Sequence, residues 1–178
     1  GVESTDIFLP DCFGFGWTLP TVAAHCGLIG FSSQKLDWRN NPFYGKSKHP
    51  FTIGLWKGVD GASVMLAHGY DYGRRWDNED LSENRYLMEL SKCTPLNTVY
   101  RYYGTGDVGG SPTIASVASV EKGIKGDGPL KIISAASDQL FKDYQPYGSH
   151  PELPVFDGEL LMDVHGTCLL YTSPSPRD

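Results

Sequence analysis

Residues 7–36 read IFLPDCFGFGWTLPTVAAHCGLIGFSSQKL and hold a strand, a helix and a second strand in close succession. The apolar runs Ile7–Leu9 and Phe31–Leu36 are typical of short core strands. Between them Thr18 opens a helix with a proline near its first turn, and Gly27 stands where a C′ glycine would end it. Strands that alternate with helices in this way predict parallel βα units and an α/β fold.

The same alternation continues along the rest of the chain. The interval from Asn40 to Arg75 departs from it and predicts a hairpin-like insertion whose turn is Gly58–Gly61. The whole pattern predicts an open doubly wound sheet or part of a barrel. The further predicted strands are Phe51–Trp56, Ala62–Ala67, Thr98–Tyr103, Leu130–Ser134 and Glu159–Met162, and the further predicted helices are Asp80–Cys93, Ser111–Gly123 and Asp138–Tyr144.

Length, charge and hydropathy exclude several classes of protein. With 178 residues, 40% of them hydrophobic and 20% charged, the chain can form one domain with a real core or part of a larger one. Its 15 basic and 21 acidic residues give a net charge of −6, and the basic residues are scattered, which argues against nucleic acid as a partner. The apolar runs are far shorter than the roughly 20 residues that cross a bilayer, so we expect no membrane span.

The cysteines and the chain ends carry further expectations. The four cysteines form no C-x-x-C pair and no disulfide-dense spacing, which favours free thiols and a cytoplasmic protein. The first residues lead into a core strand without an initiator Met or a signal peptide, so we expect an internal fragment. Residues 171–178, YTSPSPRD, change abruptly to a Ser/Pro composition. We therefore expect residues 169–178 to be a non-native tail, or alternatively a genuine flexible one.

Two carboxylates follow predicted strands, at positions where βα folds gather their chemistry. Asp11 comes directly after the strand Ile7–Leu9, and Asp107 follows the strand Thr98–Tyr103 within a glycine-rich loop. A pair of carboxylates at strand ends is what glycoside hydrolysis requires, one at the anomeric carbon and one at the leaving oxygen. Asp11 could instead cap the following helix, although it lies several residues early for a simple cap.

The loop at Gly104–Gly109 also has the form G-x-G-x-x-G, which is the dinucleotide-binding pattern. Its context does not suit that role, because Asp127 lies before the strand at Leu130–Ser134 and not at the end of a second strand. An aspartate inside the loop would also repel a pyrophosphate at the helix N-terminus. Nucleotide binding therefore stays as a weaker alternative.

Four ordered motifs resemble the α-mannosidases of glycoside hydrolase family 38, in their bacterial and cytosolic branch. They are residues 9–38 (LPDCFGFGWTLPTVAAHCGLIGFSSQKLDW), 55–61 (LWKGVDG) with Val64 and His68, 104–113 (GTGDVGGSPT) and 158–167 (GELLMDVHGT). The resemblance implies a seven-stranded parallel β/α barrel, a retaining mechanism and one zinc ion. It also implies that residues 1–168 are the middle part of the catalytic barrel, truncated at both ends.

The resemblance assigns roles to residues. Asp11 matches the aspartate that is both nucleophile and zinc ligand, and Asp107 matches the acid/base loop, where Val108 replaces the second aspartate that another branch carries. The remaining zinc ligands of the family have no counterpart in this sequence, so we expect the chain not to complete a zinc site. The two carboxyl groups are expected within about 5–6 Å of each other. The residues that would contact or shape the sugar site are Phe13, Lys35, Trp56, Asp60 and His165.

The implied function is hydrolysis of terminal α-linked mannose from an α-mannoside or a mannose-containing oligosaccharide. We expect the chain on its own to be inactive, because the family's other zinc ligands are missing and the barrel is incomplete. A carbohydrate-binding module without turnover is the second hypothesis, and a nucleotide-binding α/β domain is the third. The sequence on either side of this chain would distinguish the enzyme from the binding module.

Overall fold

The computed structural model describes residues 3–12, 14–34, 51–68, 74–94, 96–107 and 109–161. Its main feature is a five-stranded mixed sheet, accompanied by a separate two-stranded sheet and four α-helices. The strands are β1 (Asp6–Phe8), β2 (Gly14–Phe15), β3 (Gly30–Ser33), β4 (Ile53–Lys57), β5 (Ser63–His68), β6 (Val155–Asp157) and β7 (Leu160–Leu161). The helices are α1 (Leu19–His25), α2 (Arg85–Lys92), α3 (Ile114–Lys125) and α4 (Gln139–Asp143).

The five-stranded sheet has the order β1-β3-β5-β4-β6. Strands β1, β3 and β5 are parallel, and α1 crosses between the first two, which confirms the strand–helix–strand unit predicted from residues 7–36. β4 runs antiparallel to β5 across a turn at residues 58–62, which confirms the predicted hairpin, and β6 pairs in parallel with β4. The α/β class is therefore confirmed. The described strands form an open, mostly parallel sheet rather than a closed seven-stranded barrel.

Two separate cores cover the two faces of this sheet. Because successive strand residues point to opposite faces, Phe31 enters the core on the α1 side while Ser32 faces the other way. On the α1 side the core contains Phe15, Ala23, Phe31, Trp56, Val64, Leu66 and Leu160. On the opposite side it contains Ile53, Met65, Ala67, Phe141 and Leu153, and the Tyr100 ring packs against it. A third cluster of Trp76, Leu81, Leu87 and Val120 lies among the helices α2 and α3.

The predicted strand Thr98–Tyr103 is wrong. The segment pairs with no strand of the described sheet, although its side chains alternate as a strand's would. Tyr100 packs on the sheet core, whereas Val99 and Tyr103 join the third cluster. The alternation of side chains arises because the segment runs between two cores. Successive side chains are buried on opposite sides, as in a strand, but the backbone forms no ladder of hydrogen bonds with a neighbouring strand.

The predicted strand Leu130–Ser134 is also wrong. The backbone N–H of Leu130 donates to Ser82 O at 3.1 Å, and Leu130 and Ile132 pack on the third cluster. The alternating residues Lys131 and Ile133 are exposed. Here too the alternating pattern indicates that one side of the segment is buried, and it does not indicate that the segment pairs within a sheet.

The helices agree with the sequence in position but differ at their ends. The predicted helix Asp80–Cys93 is interrupted at Asn84, whose side chain accepts from Leu87 N and begins α2 after a short 3₁₀ turn. The helix expected to run toward Gly123 continues through that residue to Lys125. Gly123 lies in the helix interior, and an added Cβ there would lie 2.9 Å from the Leu81 Cβ, so the close packing of Leu81 requires a glycine at this position. Within the described ranges, none of the helices has the length and apolar character to cross a membrane.

Candidate active site

Asp11 lies in the turn that leaves the carboxyl end of β1. Leu9 is fixed there by β3, since its N–H donates to Ser32 O at 3.0 Å and its carbonyl accepts from Ser33 Oγ at 2.9 Å. Leu9 therefore has both main-chain groups satisfied by the neighbouring strand. Asp11, two residues later, is exposed. This arrangement fixes the start of the turn and leaves the Asp11 carboxylate at the surface.

Asp107 lies at the tip of a tight loop. The loop is closed by a bridge between Thr105 and Gly110, and Thr105 Oγ1 donates to Ser111 O at 3.0 Å. Asp107 has a φ of 61° and Gly109 a φ of 63°, both in the left-handed region. Aspartate is among the few residues that tolerate this conformation. The loop thus folds back on itself and exposes the Asp107 carboxylate.

One aromatic contact joins the segments that precede the two acidic turns. The ring of Phe8, at the end of β1, lies 5.1 Å from the ring of Tyr102, measured between centroids. Phe8 precedes Asp11 by three residues, and Tyr102 precedes Asp107 by five. A chain advances at most about 3.5 Å per residue, so the Cα atom of Asp11 lies within roughly 10 Å of that of Phe8, and the Cα atom of Asp107 within roughly 18 Å of that of Tyr102. The separation of about 5–6 Å between them stays a prediction.

Trp56 is completely buried in the core on the α1 side. Its ring lies 5.2 Å from Phe31 and 6.4 Å from Phe15, and its indole N–H donates to Gly158 O at 2.8 Å. With 0% of its surface exposed, the ring packs against protein on all sides. The structure therefore places Trp56 in the core, where it can support the strands but presents no exposed surface.

Asp60 lies in the β4–β5 turn, at the amino edge of the parallel strands, because β4 ends at Lys57 opposite Ser63, the first residue of β5. Asp11 follows the carboxyl end of β1, at the other edge. The Asp60 carboxylate accepts from Thr21 Oγ1 at 2.7 Å and lies 2.7 Å from His25 Nε2. The hydrogen bond from Thr21, followed by that with His25, lowers the pKa of Asp60 to about 2. Asp60 thus connects the hairpin to α1.

Three further candidates, Phe13, Lys35 and His165, lie outside the described residues. The described part of the chain groups no three His, Cys, Asp or Glu side chains in a way that could hold a metal ion. Asp11 supplies one carboxylate, whereas a zinc site needs three or four ligands. The described residues therefore do not fit a complete zinc site.

Comparison with known proteins identifies the family. Residues 1–159 match the family model described as the Glycosyl hydrolases family 38 N-terminal domain. The chain belongs to glycosyl hydrolase family 38. The motifs around Asp11, Trp56 and Asp107 had indicated the same family, so that prediction is confirmed.

Curated family 38 relatives align along almost the whole chain. Alpha-mannosidase G of Dictyostelium discoideum is 34% identical across 97% of this chain and 15% of its own length. Alpha-mannosidase 2C1 of Homo sapiens is 28% identical across 93% of the chain and 15% of its own length. Alpha-mannosidase of Saccharomyces cerevisiae is 27% identical across 97% of the chain and 16% of its own length. The chain thus spans less than a fifth of the length of these relatives.

A polar cluster that the sequence analysis did not predict lies beneath residues 98–103. Asp6 on β1 and Ser32 on β3 lie on the sheet face that Tyr100 and Tyr102 cover. Burial raises the pKa of Asp6 above its usual value, and the nearby Asp138 adds to this effect, while a hydrogen bond with Ser137 opposes it. The one signal available in the sequence was that Asp6 and Ser32 fall within short strands beside the core residues Ile7 and Phe31.

Proposed function

We propose that this chain is the middle part of the catalytic domain, over residues 1–168, of a longer polypeptide that removes terminal α-linked mannose. The family match and the names of the relatives support this proposal. The observation that carries it is the Phe8–Tyr102 contact, since it brings the strand before Asp11 beside the segment before Asp107. Both turns are exposed and accessible to a sugar.

The proposed reaction is a retaining hydrolysis that uses both carboxylates. The Asp11 carboxylate attacks the anomeric carbon and forms a glycosyl ester, while the Asp107 carboxyl donates its proton to the departing glycosidic oxygen. Asp107, now ionised, then takes a proton from a water molecule that attacks the same carbon. The ester bond breaks, mannose leaves with its configuration retained, and both side chains return to their starting state.

Other parts of the proposed protein complete the site. We propose zinc as the metal, with Asp11 as one ligand and the others from outside the described residues; when bound, it would stabilise charge on substrate oxygens. Strands beyond the open edges at β1 and β6 would complete a seven-stranded barrel. Phe13, Lys35 and His165 are proposed sugar contacts, whereas Trp56 and Asp60 support the hairpin. The exposed thiols of Cys12, Cys26 and Cys93 suit a cytoplasmic protein.

The test compares three aspartate variants of the full-length polypeptide. Asp11→Asn should lower kcat on an aryl α-mannoside by about 10³-fold or more, because it removes the nucleophile. Asp107→Asn should lower kcat by about 10²-fold or more on substrates with poor leaving groups, and far less on activated ones that need no proton. Asp127→Asn, an exposed residue in a separate loop, is the control and should leave kcat unchanged.

Two results would contradict the proposal. Asp11→Asn with the activity of the unaltered enzyme would remove the assignment of the nucleophile. Mannoside binding by the full-length polypeptide without any turnover would favour the carbohydrate-binding module instead.

A further inference from the structure

The sheet face beneath residues 98–103, here called the tyrosine segment, contains buried polar atoms without hydrogen-bond partners. Ser32 Oγ on β3 is one of them, and Ser32 is 0% exposed. Asp6 Oδ2 on β1 and the Tyr102 hydroxyl are the others. Burying a polar atom without a partner costs free energy. The substitutions Ser32→Ala and Tyr102→Phe would remove two of these atoms with little change in side-chain shape.

These groups lie close together. Burial raises the pKa of Tyr102, the neighbouring Tyr100 raises it further, and the Ser32 hydroxyl partly offsets the effect. Phe8 pairs with Ser32 in the β1–β3 register, and the Phe8 ring lies 5.1 Å from the Tyr102 ring, so Tyr102 lies over this part of the sheet. Neither the Ser32 nor the Tyr102 hydroxyl makes an ordinary hydrogen bond there. The Tyr100 and Tyr102 rings pack edge to face with centroids 5.2 Å apart.

Ser32 is connected to both acidic turns. Its carbonyl accepts from Leu9 N at 3.0 Å, two residues before Asp11. Its side chain lies on the same sheet face as Phe8, whose ring contacts Tyr102, five residues before Asp107. Ser32 therefore binds the start of the Asp11 turn through its main chain. Its hydroxyl lies beside the segment that leads to the Asp107 turn.

The tyrosine segment has fixed points on either side of Tyr102. Before it, the Tyr100 hydroxyl donates to Ser137 O at 3.2 Å. After it, Gly104 N donates to Arg74 O at 3.0 Å. The Tyr103 side chain points the other way, into the third cluster, where its hydroxyl lies 3.4 Å from Ser134 Oγ. Tyr100 also interacts with Ser32 and Asp6, whereas Tyr102 in addition contacts Phe8 at the end of β1, the strand that leads into the Asp11 turn.

We propose that Tyr102 and Ser32 are positioning residues, and that the docking of the Tyr102 hydroxyl beside Ser32 sets the Asp107 loop relative to Asp11. This inference rests on the proposed function, because it gives Asp107 the role of acid/base. Neither residue touches the substrate in this proposal. Their effect is exerted through the orientation of the loop, and small displacements of a catalytic group have large effects on rate.

The test uses Tyr102→Phe in the full-length polypeptide, with Tyr103→Phe as the matched control one position along. Tyr102→Phe keeps the ring and removes the hydroxyl, so kcat on a mannoside with a poor leaving group should fall about 10-fold. KM should change less than about twofold, and kcat on an activated aryl mannoside should hardly change, because that substrate needs little acid assistance. Tyr103→Phe should leave both substrates unaffected.

A second variant and a second measurement test the proposal without relying on Tyr102→Phe alone. Ser32→Ala should reduce kcat in the same substrate-dependent way, and the double variant should lose less than the product of the two single effects, because both remove one contact. Hydrogen exchange of the amides at residues 104–110 should become faster in Tyr102→Phe and Ser32→Ala but not in Tyr103→Phe.

The outcomes separate this inference from the proposed function. If Asp107→Asn shows no dependence on the leaving group, the acid/base role fails and the positioning role fails with it. If Asp107→Asn shows that dependence but Tyr102→Phe behaves like Tyr103→Phe, the positioning role alone is overturned. Faster exchange with unchanged kinetics would also overturn it, since the contact would then be structural only.

Discussion

The two faces of the five-stranded sheet are built from the same strands but differ in character. On the α1 side, Phe31 and Trp56 pack edge to face with Phe15, and the one polar group of this set, the indole N–H, has its partner at Gly158 O. On the other side, Asp6 and Ser32 leave buried oxygens without partners beneath the tyrosine segment. The first face is an apolar core, whereas the second combines apolar packing with polar groups.

This difference suggests that the two faces contribute differently, one to stability and the other to the orientation of neighbouring segments. Apolar burial is non-directional and stabilises in proportion to the area removed from water. Polar groups in a buried space stabilise less but depend strongly on orientation. The Asp107 turn follows Tyr102, which covers the polar side, whereas Leu9, before the Asp11 turn, packs on the apolar α1 side and reaches Ser32 only through its main chain. The less well satisfied face is therefore the one beside the proposed acid/base loop.

The largest expected effect tests the apolar face. Trp56→Ala should lower the free energy of unfolding by about 3–5 kcal/mol, because it removes a fully buried ring and leaves a cavity. Trp17→Ala is the control: that ring is 39% exposed, and its N–H donates to Lys57 O at 3.1 Å. We expect a loss of about 1 kcal/mol there. Urea denaturation measures both, and equal losses would contradict the assignment of Trp56 to the main core.

A smaller effect tests the packing of the second face at Gly30. An added Cβ there would lie 2.0–2.4 Å from atoms of the Phe141 ring, which is buried above it. Gly30→Ala should therefore destabilise the chain by about 1–3 kcal/mol through overpacking. Gly148→Ala, with no atom within 4 Å of the new Cβ, should change stability by less than about 1 kcal/mol. The same denaturation experiment serves, and a neutral Gly30→Ala would show that α4 does not hold this position.

The smallest expected effect concerns the charge of Asp6. Burial raises its pKa, so the folded state binds the proton more tightly than the unfolded state. Stability at this site is therefore greatest at low pH and is lost as pH rises from the unfolded pKa through the folded pKa. Asp6→Asn removes the ionisation and should raise Tm at pH 7 by about 1–3 °C, with the advantage shrinking as pH falls toward 4.

Thermal unfolding of Asp6→Asn is compared with Asp127→Asn, whose carboxyl group is exposed. No change in Tm is expected for that control. An advantage of Asp6→Asn that grew on acidification would have the wrong sign and would remove the explanation based on burial.

Local patterns predicted much of the fold. The unit formed by β1, α1 and β3 could be recognised because apolar runs flank a helical segment, and because Gly27, whose φ of 78° suits glycine, follows the C-cap of α1. The hairpin could be recognised from its glycine-flanked turn. β6 was missed because three residues that follow a proline carry little periodic signal, and its pairing with β4 joins positions about 100 residues apart.

The candidate site was predictable in part. Asp11 and Asp107 could be chosen because each follows a predicted strand, where βα folds gather their chemistry, and because both fall within motifs that resemble the family. Their surroundings could not, because Tyr102 approaches Phe8 from 94 residues away. The locations of Trp56 and Asp60 also depended on contacts across the chain, with Gly158 in one case and Thr21 in the other.

The amino-acid sequence by itself determined the family, the α/β class and the two acidic turns, because these depend on short motifs and on the local spacing of apolar residues. The tertiary structure alone decided that the tyrosine segment crosses a sheet face without joining it, and that Ser32 lies between the two turns. The physical reason is that an alternating pattern specifies which side chains are buried. It does not specify whether the partner is a neighbouring strand or a second core.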